Sequence, residues 1–364
     1  MQLREKIQQE ATQKILKNKF SGIINVAPRV GKSKIVCDAI KNNPTASFLI
    51  TVPYNSIMES WKTEFIKWNV DTNEIKIEVI NQRSLSKVNL SSYDIIISDE
   101  IHTLSNAQLE ILQQFNGVIL GVSGSISKET EALLKKELRL KNIFKYTIEE
   151  AVRDNIIANY EIYLLPVTLD NKHKYIEAGS KTATFKTTEY LNYQYLTEQF
   201  NKFKRASWNN PKMNPVKMQY ASKRANLIYN SKTKLEAVSK IIAKFDRCLI
   251  FTARTEIADQ LGSGYHSKSN PEVLESFMSG ETNKLAVCEM TNMGITFPNL
   301  KVGIFHQMKS SEESAIQKVM RMCNMEDDNV AQIYITYYAN TVDEEWTKKA
   351  LEGLDPDKIK ILTL

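Results

Sequence analysis

Two short stretches carry residue types whose combined chemistry is that of phosphate. In VAPRVGKSK (26–34) the apolar run GIINV (22–26) passes through a tight turn into a helix-forming stretch. Such a junction aims backbone N–H groups and a helix N-terminus at an anion. Arg29, Val30, Gly31 and Lys34 would surround that anion, Lys32 would reach the β- and γ-phosphates, and the Ser33 hydroxyl would ligate Mg²⁺. The stretch departs from G-x-x-x-x-G-K-[ST] at its first position, which is Val26. In YDIIISDEIH (93–102) an apolar strand ends in Asp99 and Glu100, with His102 two residues on. At the C-terminal end of a parallel strand, Asp99 would hold the metal through water and Glu100 would polarise an attacking water. The plainer alternative is that the two acids only cap the next helix.

The elements that must position these residues alternate between short apolar runs and amphipathic helices, the pattern of a parallel sheet flanked by helices. In the first half the predicted strands are 22–26, 47–52, 75–80, 94–98 and 117–123, and the stretch SIMESWKTEFIKW reads as a helix burying Ile57, Trp61, Phe65 and Trp68. The run EIYLLPV (161–167) follows, and from residue 234 a second α/β series begins, with predicted strands at 247–252, 285–289, 301–306 and 331–338. A length of 364 residues suits two such lobes. The fold class is therefore α/β, two tandem doubly wound parallel-sheet lobes spanning 1–156 and 157–364, the second holding a basic, largely helical insert at about 168–225.

Charge is uneven. The chain has 48 Lys and Arg against 42 Asp and Glu, a net +6, and residues 161–225 alone hold 11 basic against 5 acidic residues, so this segment carries the whole surplus. It also holds ten aromatic residues, with Tyr190, Tyr193, Tyr195, Phe200, Phe203 and Trp208 interleaved among Lys202, Lys204, Arg205, Lys212 and Lys217. Lysines beside stacking rings suit single-stranded nucleic acid, while the plainer reading is an amphipathic helical region with a solvated face. The four cysteines and four histidines lack disulfide or metal-ligand spacing, no apolar stretch is long enough for a membrane span, and the N-terminus is polar where a signal peptide would carry an apolar core. A soluble, monomeric protein of a reducing cytoplasm is expected.

VAPRVGKSK and SDEIH together resemble motifs I and II of superfamily 2 DExH-box nucleic-acid helicases and translocases. LITVPYNSIMESWKTEF is similar to motif Ia, VINQRSLSK to the segment around Ib, GVSGSI to motif III, CLIFTAR to motif IV, TNMGITFPNL to motif V and QKVMRMCN to motif VI. LREKIQQEA, with Gln8, resembles the segment that contacts adenine. The compact form looks most like phage-encoded, UvsW-like members, which would place it in a host cytoplasm. The resemblance implies two RecA-like lobes with ATP and Mg²⁺ between them, and His102 coupling the lobes. Gly294 would lie beside the nucleotide, and Gln317 and Arg321 would reach it from the second lobe, Arg321 on the γ-phosphate. Nucleic-acid contacts would come from Pro53, Tyr54, Gln82, Arg83, Thr252, Arg254, Thr291 and Asn292, joined by Lys202, Lys204 and Arg205 of the insert. Single-stranded or forked DNA is the expected track more than RNA. Thr296 stands in place of a motif V acid and Asn324 in place of a second motif VI arginine; Asn324, with Val26 and Arg29 in the phosphate turn, leaves open a nucleic-acid-binding module with a weak or lost ATPase.

Overall fold

In a computed structural model, residues 2–124, 126–180, 183–266, 268–288, 297, 300–308, 330–352 and 354–362 are described. The first lobe is a six-stranded sheet in the order β3-β2-β4-β5-β1-β6, parallel throughout. Its strands are β1 (Gly22–Val26), β2 (Phe48–Val52), β3 (Ile77–Asn81), β4 (Ile95–Asp99), β5 (Val118–Ser123) and β6 (Asn142–Tyr146). The central strands β1 and β2 are buried at every residue, which is why they read as unbroken apolar runs rather than alternating ones. Helices α1 (Leu3–Lys17), α2 (Lys32–Lys41), α3 (Asn55–Lys67), α4 (Asn106–Gln113), α5 (Lys128–Leu138) and α6 (Ile148–Arg153) complete the lobe. Register sets Asn25 of β1 beside Ser123 of β5, and Val122 of β5 beside Asp99 of β4. The carboxyl ends of β1, β5 and β4 are thereby flush, where ligands bind in open α/β sheets.

The second lobe is a parallel seven-stranded sheet in the order β11-β12-β10-β13-β14-β7-β15. Its strands are β7 (Tyr160–Val167), β10 (Cys248–Thr252), β11 (Ser263–Tyr265), β12 (Lys284–Cys288), β13 (Val302–Phe305), β14 (Ala331–Tyr338) and β15 (Ile359–Ile361), with α9 (Lys232–Ile242), α10 (Thr255–Leu261) and α11 (Glu272–Ser279) around them. The lobes share a hydrophobic cluster, and Glu149 of α6 accepts from the Tyr160 hydroxyl and from Lys358 Nζ (3.2 Å) of the second lobe.

The insert leaves the sheet after β7. It is less uniformly helical than its composition suggested: β8 (Ile176–Ser180) and β9 (Ala183–Thr187) form an antiparallel hairpin ahead of two long helices, α7 (Glu189–Asn209) and α8 (Asn214–Tyr229). Several of its aromatics hold the helix pair together instead of facing solvent. Phe203 and Tyr220 stack at 5.4 Å, the Arg224 guanidinium lies 4.5 Å from the Phe200 ring, and the buried Tyr193 hydroxyl accepts from Val342 N (2.8 Å).

A buried polar network that sequence reasoning missed fastens this insert to the second lobe. The Glu189 carboxylate, fully buried at the start of α7, accepts from Tyr175 OH, Ser231 Oγ (2.6 Å), Asp170 N (3.0 Å) and Tyr338 OH (3.2 Å). Beside it Lys234 and Asp343 form an ion pair with both side chains fully buried, and Asp343 also accepts from Tyr338 N (2.8 Å). His306, at the end of β13, is buried too, and its Nε2 has no hydrogen-bond partner among the described residues. Burial, reinforced by the Lys234 charge, pushes the imidazole down to about 3. The unfolded chain protonates this histidine near 6.5 and the folded chain only near 3. Its contribution to stability is therefore intact above pH 6.5 and falls by about 1.4 kcal/mol per pH unit as pH drops toward 3. Urea titrations across that range should show the slope, and His306→Gln should flatten it; an equal slope in the variant would assign the effect to other groups.

Candidate active site

The turn expected to hold phosphate begins where β1 stops. Val26, which stands where a glycine is usual, is still a strand residue, fully buried and paired with Tyr146, so no special backbone conformation is required there. The left-handed positions come later, at Arg29 (φ 63°) and Gly31 (φ 103°). Gly31 is the N-cap of α2 and no side chain caps the helix, which leaves its first turn of N–H groups for an anion. The turn is held from behind by α1: Gln8 Nε2 donates to Val30 O (2.6 Å) and Arg4 Nε to the same oxygen (3.3 Å). The glycine is needed for its left-handed conformation, and a Cβ on it would lie 2.6 Å from Gln8 Nε2 and push that amide off Val30 O. Gln8, expected at the base, thus braces the loop backbone. With ATP as the ligand expected at this turn, Gln8→Ala should weaken its binding roughly fivefold, the worth of one buried hydrogen bond at ~1 kcal/mol. Titration with a fluorescent ATP analogue reads this directly.

Across the carboxyl edge, β4 delivers the acidic pair. Asp99 Oδ2 accepts from Trp61 Nε1 (3.1 Å) and Oδ1 from Glu100 N (3.0 Å). Burial raises the Asp99 carboxyl above its ordinary range, against the pull of Lys32. A divalent cation beside it would favour the charged form. Glu100 sits at φ 48°, an unfavourable conformation for a non-glycine residue that turns its carboxylate back toward the loop. There it forms an ion pair with Lys32, with side chains only 21% and 13% exposed. Ser123 Oγ and Gly124 N, at the end of β5, both lie 3.4 Å from Glu100 Oε2. His102 Nδ1 lies 2.8 Å from Ser123 Oγ and 3.5 Å from Glu100 Oε2, so its ring faces β5 of its own lobe.

Lys32, Asp99, Glu100 and His102 are thus brought together, with Ser33 on the first turn of α2. Lys34 lies on the same turn but pairs with Asp38 and sits 4.9 Å over the Trp68 ring. Two residues that sequence reasoning missed complete the arrangement. Trp61 was read as a core residue from its helical spacing, and only the packing of α3 on the sheet aims its N–H at Asp99. Ser123 lay within the motif III-like segment, the one signal that marked it.

The expected nucleic-acid contacts divide. Tyr54 and Arg83 are exposed just beyond β2 and β3, on the same edge as the site, and Pro53 lies between β2 and Tyr54. Gln82 is 3% exposed and spends its amide internally: Nε2 donates to Asp99 O (3.1 Å) and Oε1 accepts from Thr103 Oγ1 (3.0 Å). It therefore braces the acidic turn from behind. Thr252 is also buried, its hydroxyl donating to Arg254 O (2.9 Å), and Arg254 donates to the Asn226 side chain of α8. Lys202, Lys204 and Arg205 are exposed on α7. Thr291, Asn292, Gly294, Thr296, Gln317, Arg321 and Asn324 lie outside the described residues.

Residues 1–120 match the family model described as Type III restriction enzyme, res subunit. No curated protein sequence matches the chain. Among solved structures, the Pyrococcus furiosus Hef helicase domain is similar at a TM-score of 0.50 and 13% identity, over 95% of this chain and 97% of that one. S. cerevisiae Dbp5 bound to RNA and ADP BeF3 is similar at 0.56 and 10%, over 98% and 89%. The ATP-dependent Type ISP restriction-modification enzyme LlaBIII bound to DNA gives 0.57 and 13%, this chain covering 31% of it and 98% of its own length. At such identities the likeness establishes the fold, and that fold is a pair of tandem RecA-like lobes of the kind found in superfamily 2 helicases.

Proposed function

We propose that this chain is an ATP-driven nucleic-acid motor, a helicase or translocase that acts on DNA more than RNA and hydrolyses ATP at the carboxyl edge of its first lobe. The observation that carries the reading is the meeting of Lys32 and Glu100 across that edge, with Asp99 beside them and an uncapped helix N-terminus below. The γ-phosphate takes Lys32 from Glu100, and the released carboxylate is then placed to orient water for attack. The hydroxyl of Ser33 and the carboxylate of Asp99 are the hard oxygen ligands Mg²⁺ favours, and the ion supplies charge neutralisation on the phosphates when bound. By the motif resemblance, Gln317, Arg321 and Gly294 would supply the second lobe's contacts to the nucleotide, so that closure of the cleft would complete the site. Nucleic acid is held along Pro53, Tyr54 and Arg83 of the first lobe, Arg254, Thr291 and Asn292 of the second, and Lys202, Lys204 and Arg205 of the insert, chiefly through phosphates.

The preference for DNA leans on the restriction-enzyme family model matched by residues 1–120. By the motif resemblance the protein would work as a phage-type monomer in the cytoplasm. The test is ATP hydrolysis in Mg²⁺ with and without single-stranded DNA, duplex DNA, forked DNA and RNA, with Lys32→Ala as control. Stimulation by one polymer, lost in Lys32→Ala, supports the motor and names its track. Binding without turnover would replace it with a clamp that has lost its ATPase.

A further inference from the structure

The two insert helices form a hairpin with a fixed base and a free tip. At the base, Glu189 is buried among Tyr175, Ser231 and Tyr338, and Asn226 near the end of α8 accepts from Arg254 of the second lobe. From there the 21 residues of α7 rise ~30 Å, at about 1.5 Å per residue, to a short turn before α8 returns. The buried side chains of α7 (Glu189, Tyr193, Leu196, Ser207) share one face. Tyr190, Tyr195, Arg205 and Trp208 occupy the exposed face.

Trp208 stands one residue before the end of α7 and is 74% exposed. Lys204 and Arg205, four and three residues earlier, are its neighbours one turn down the helix and are exposed as well. From Gln199 to Ala225 the chain carries seven Lys and Arg and no Asp or Glu. A tip with that charge repels a second copy of itself and attracts a polyanion. Of the four tryptophans, Trp61 is buried against Asp99, whereas Trp208 projects where no core requires it.

We infer that Trp208, with Lys204 and Arg205 below it, is a base-stacking contact at the hairpin tip that recognises unpaired nucleotides. This rests on the motor reading and adds which feature of the polymer is read. An indole gains stacking energy only from an open base face, which a single strand or a fork presents and the interior of a duplex does not, while the two cations hold the flanking phosphates. Because the base of the hairpin is fixed in the second lobe, the tip travels with that lobe.

The test follows binding by anisotropy of labelled oligothymidylate, an abasic oligomer of the same length and a blunt duplex, together with tryptophan fluorescence of the wild type, Trp208→Phe and Trp208→Ala. Oligothymidylate should quench a signal that is missing in both variants, and the abasic oligomer should bind without quenching it. Trp208→Ala should weaken oligothymidylate about tenfold, leave the abasic oligomer unchanged, and be largely rescued by phenylalanine. Equal binding of oligothymidylate by the wild type and Trp208→Ala, with polymer-stimulated ATP hydrolysis intact, would overturn the stacking contact alone. Absence of both binding and stimulation would overturn the motor reading and this inference with it.

Discussion

In Glu100→Gln, ATP hydrolysis is expected to slow by ~10² to 10⁴-fold while ATP still binds, because the change removes the carboxylate that would take up the proton of the attacking water and leaves the shape of the site intact. The geometry separates this variant from its partner. Lys32→Ala removes the cation that would meet the phosphates, so its defect should include nucleotide affinity, and the remaining Glu100 carboxylate would then repel the γ-phosphate. Glutamine at position 100 has the opposite effect on the ground state: it frees Lys32 from its ion pair, so ATP should bind as well as in wild type or better. Nucleotide titration and single-turnover hydrolysis on both variants give the comparison. Turnover near the wild-type rate in Glu100→Gln would mean that another group orients the water.

How far the sequence led to this site depends on whether a residue's role was local. Strand ends were legible because a parallel strand buried on both faces is a short run of Ile, Val and Leu, and the phosphate turn follows such a run directly; GIINV coincides with β1. Lys32, Asp99 and Glu100 could be picked out because their places follow from those ends, and the structure sets the three side by side. Gln82 and Thr252 were misread because a polar residue after a strand looks alike whether it faces solvent or folds back, and here both fold back onto backbone carbonyls. β6 was invisible, since NIFKY is only half apolar and lies at the sheet edge. Least legible was the network of Glu189, Ser231, Lys234, Tyr338 and Asp343, which joins three distant stretches of chain and in which every member except Tyr338, the end of a predicted strand, looks like an ordinary surface residue.

That network supports the second large effect. Lys234→Met is expected to cost ~3 to 5 kcal/mol, because it leaves the Asp343 carboxylate buried without its cation. Asp343 Oδ1 already lacks a partner among the described residues, so little else is available to compensate. Adding Asp343→Asn should recover most of the loss: the pair becomes neutral, and the amide oxygen still accepts from Tyr338 N. A coupling of this size between two single variants and their double is measurable by urea unfolding of all four proteins. Hydrogen exchange gives the location, since Tyr338 links the ion pair to Glu189 at the root of α7. In Lys234→Met, amides at the start of α7 and α9 should exchange faster while β1, β4 and α2 in the first lobe keep their protection. Uniform acceleration in both lobes would mean that the pair stabilises the whole chain; acceleration confined to the hairpin root and the second lobe would show that the insert is mounted on that lobe, the arrangement a moving tip requires.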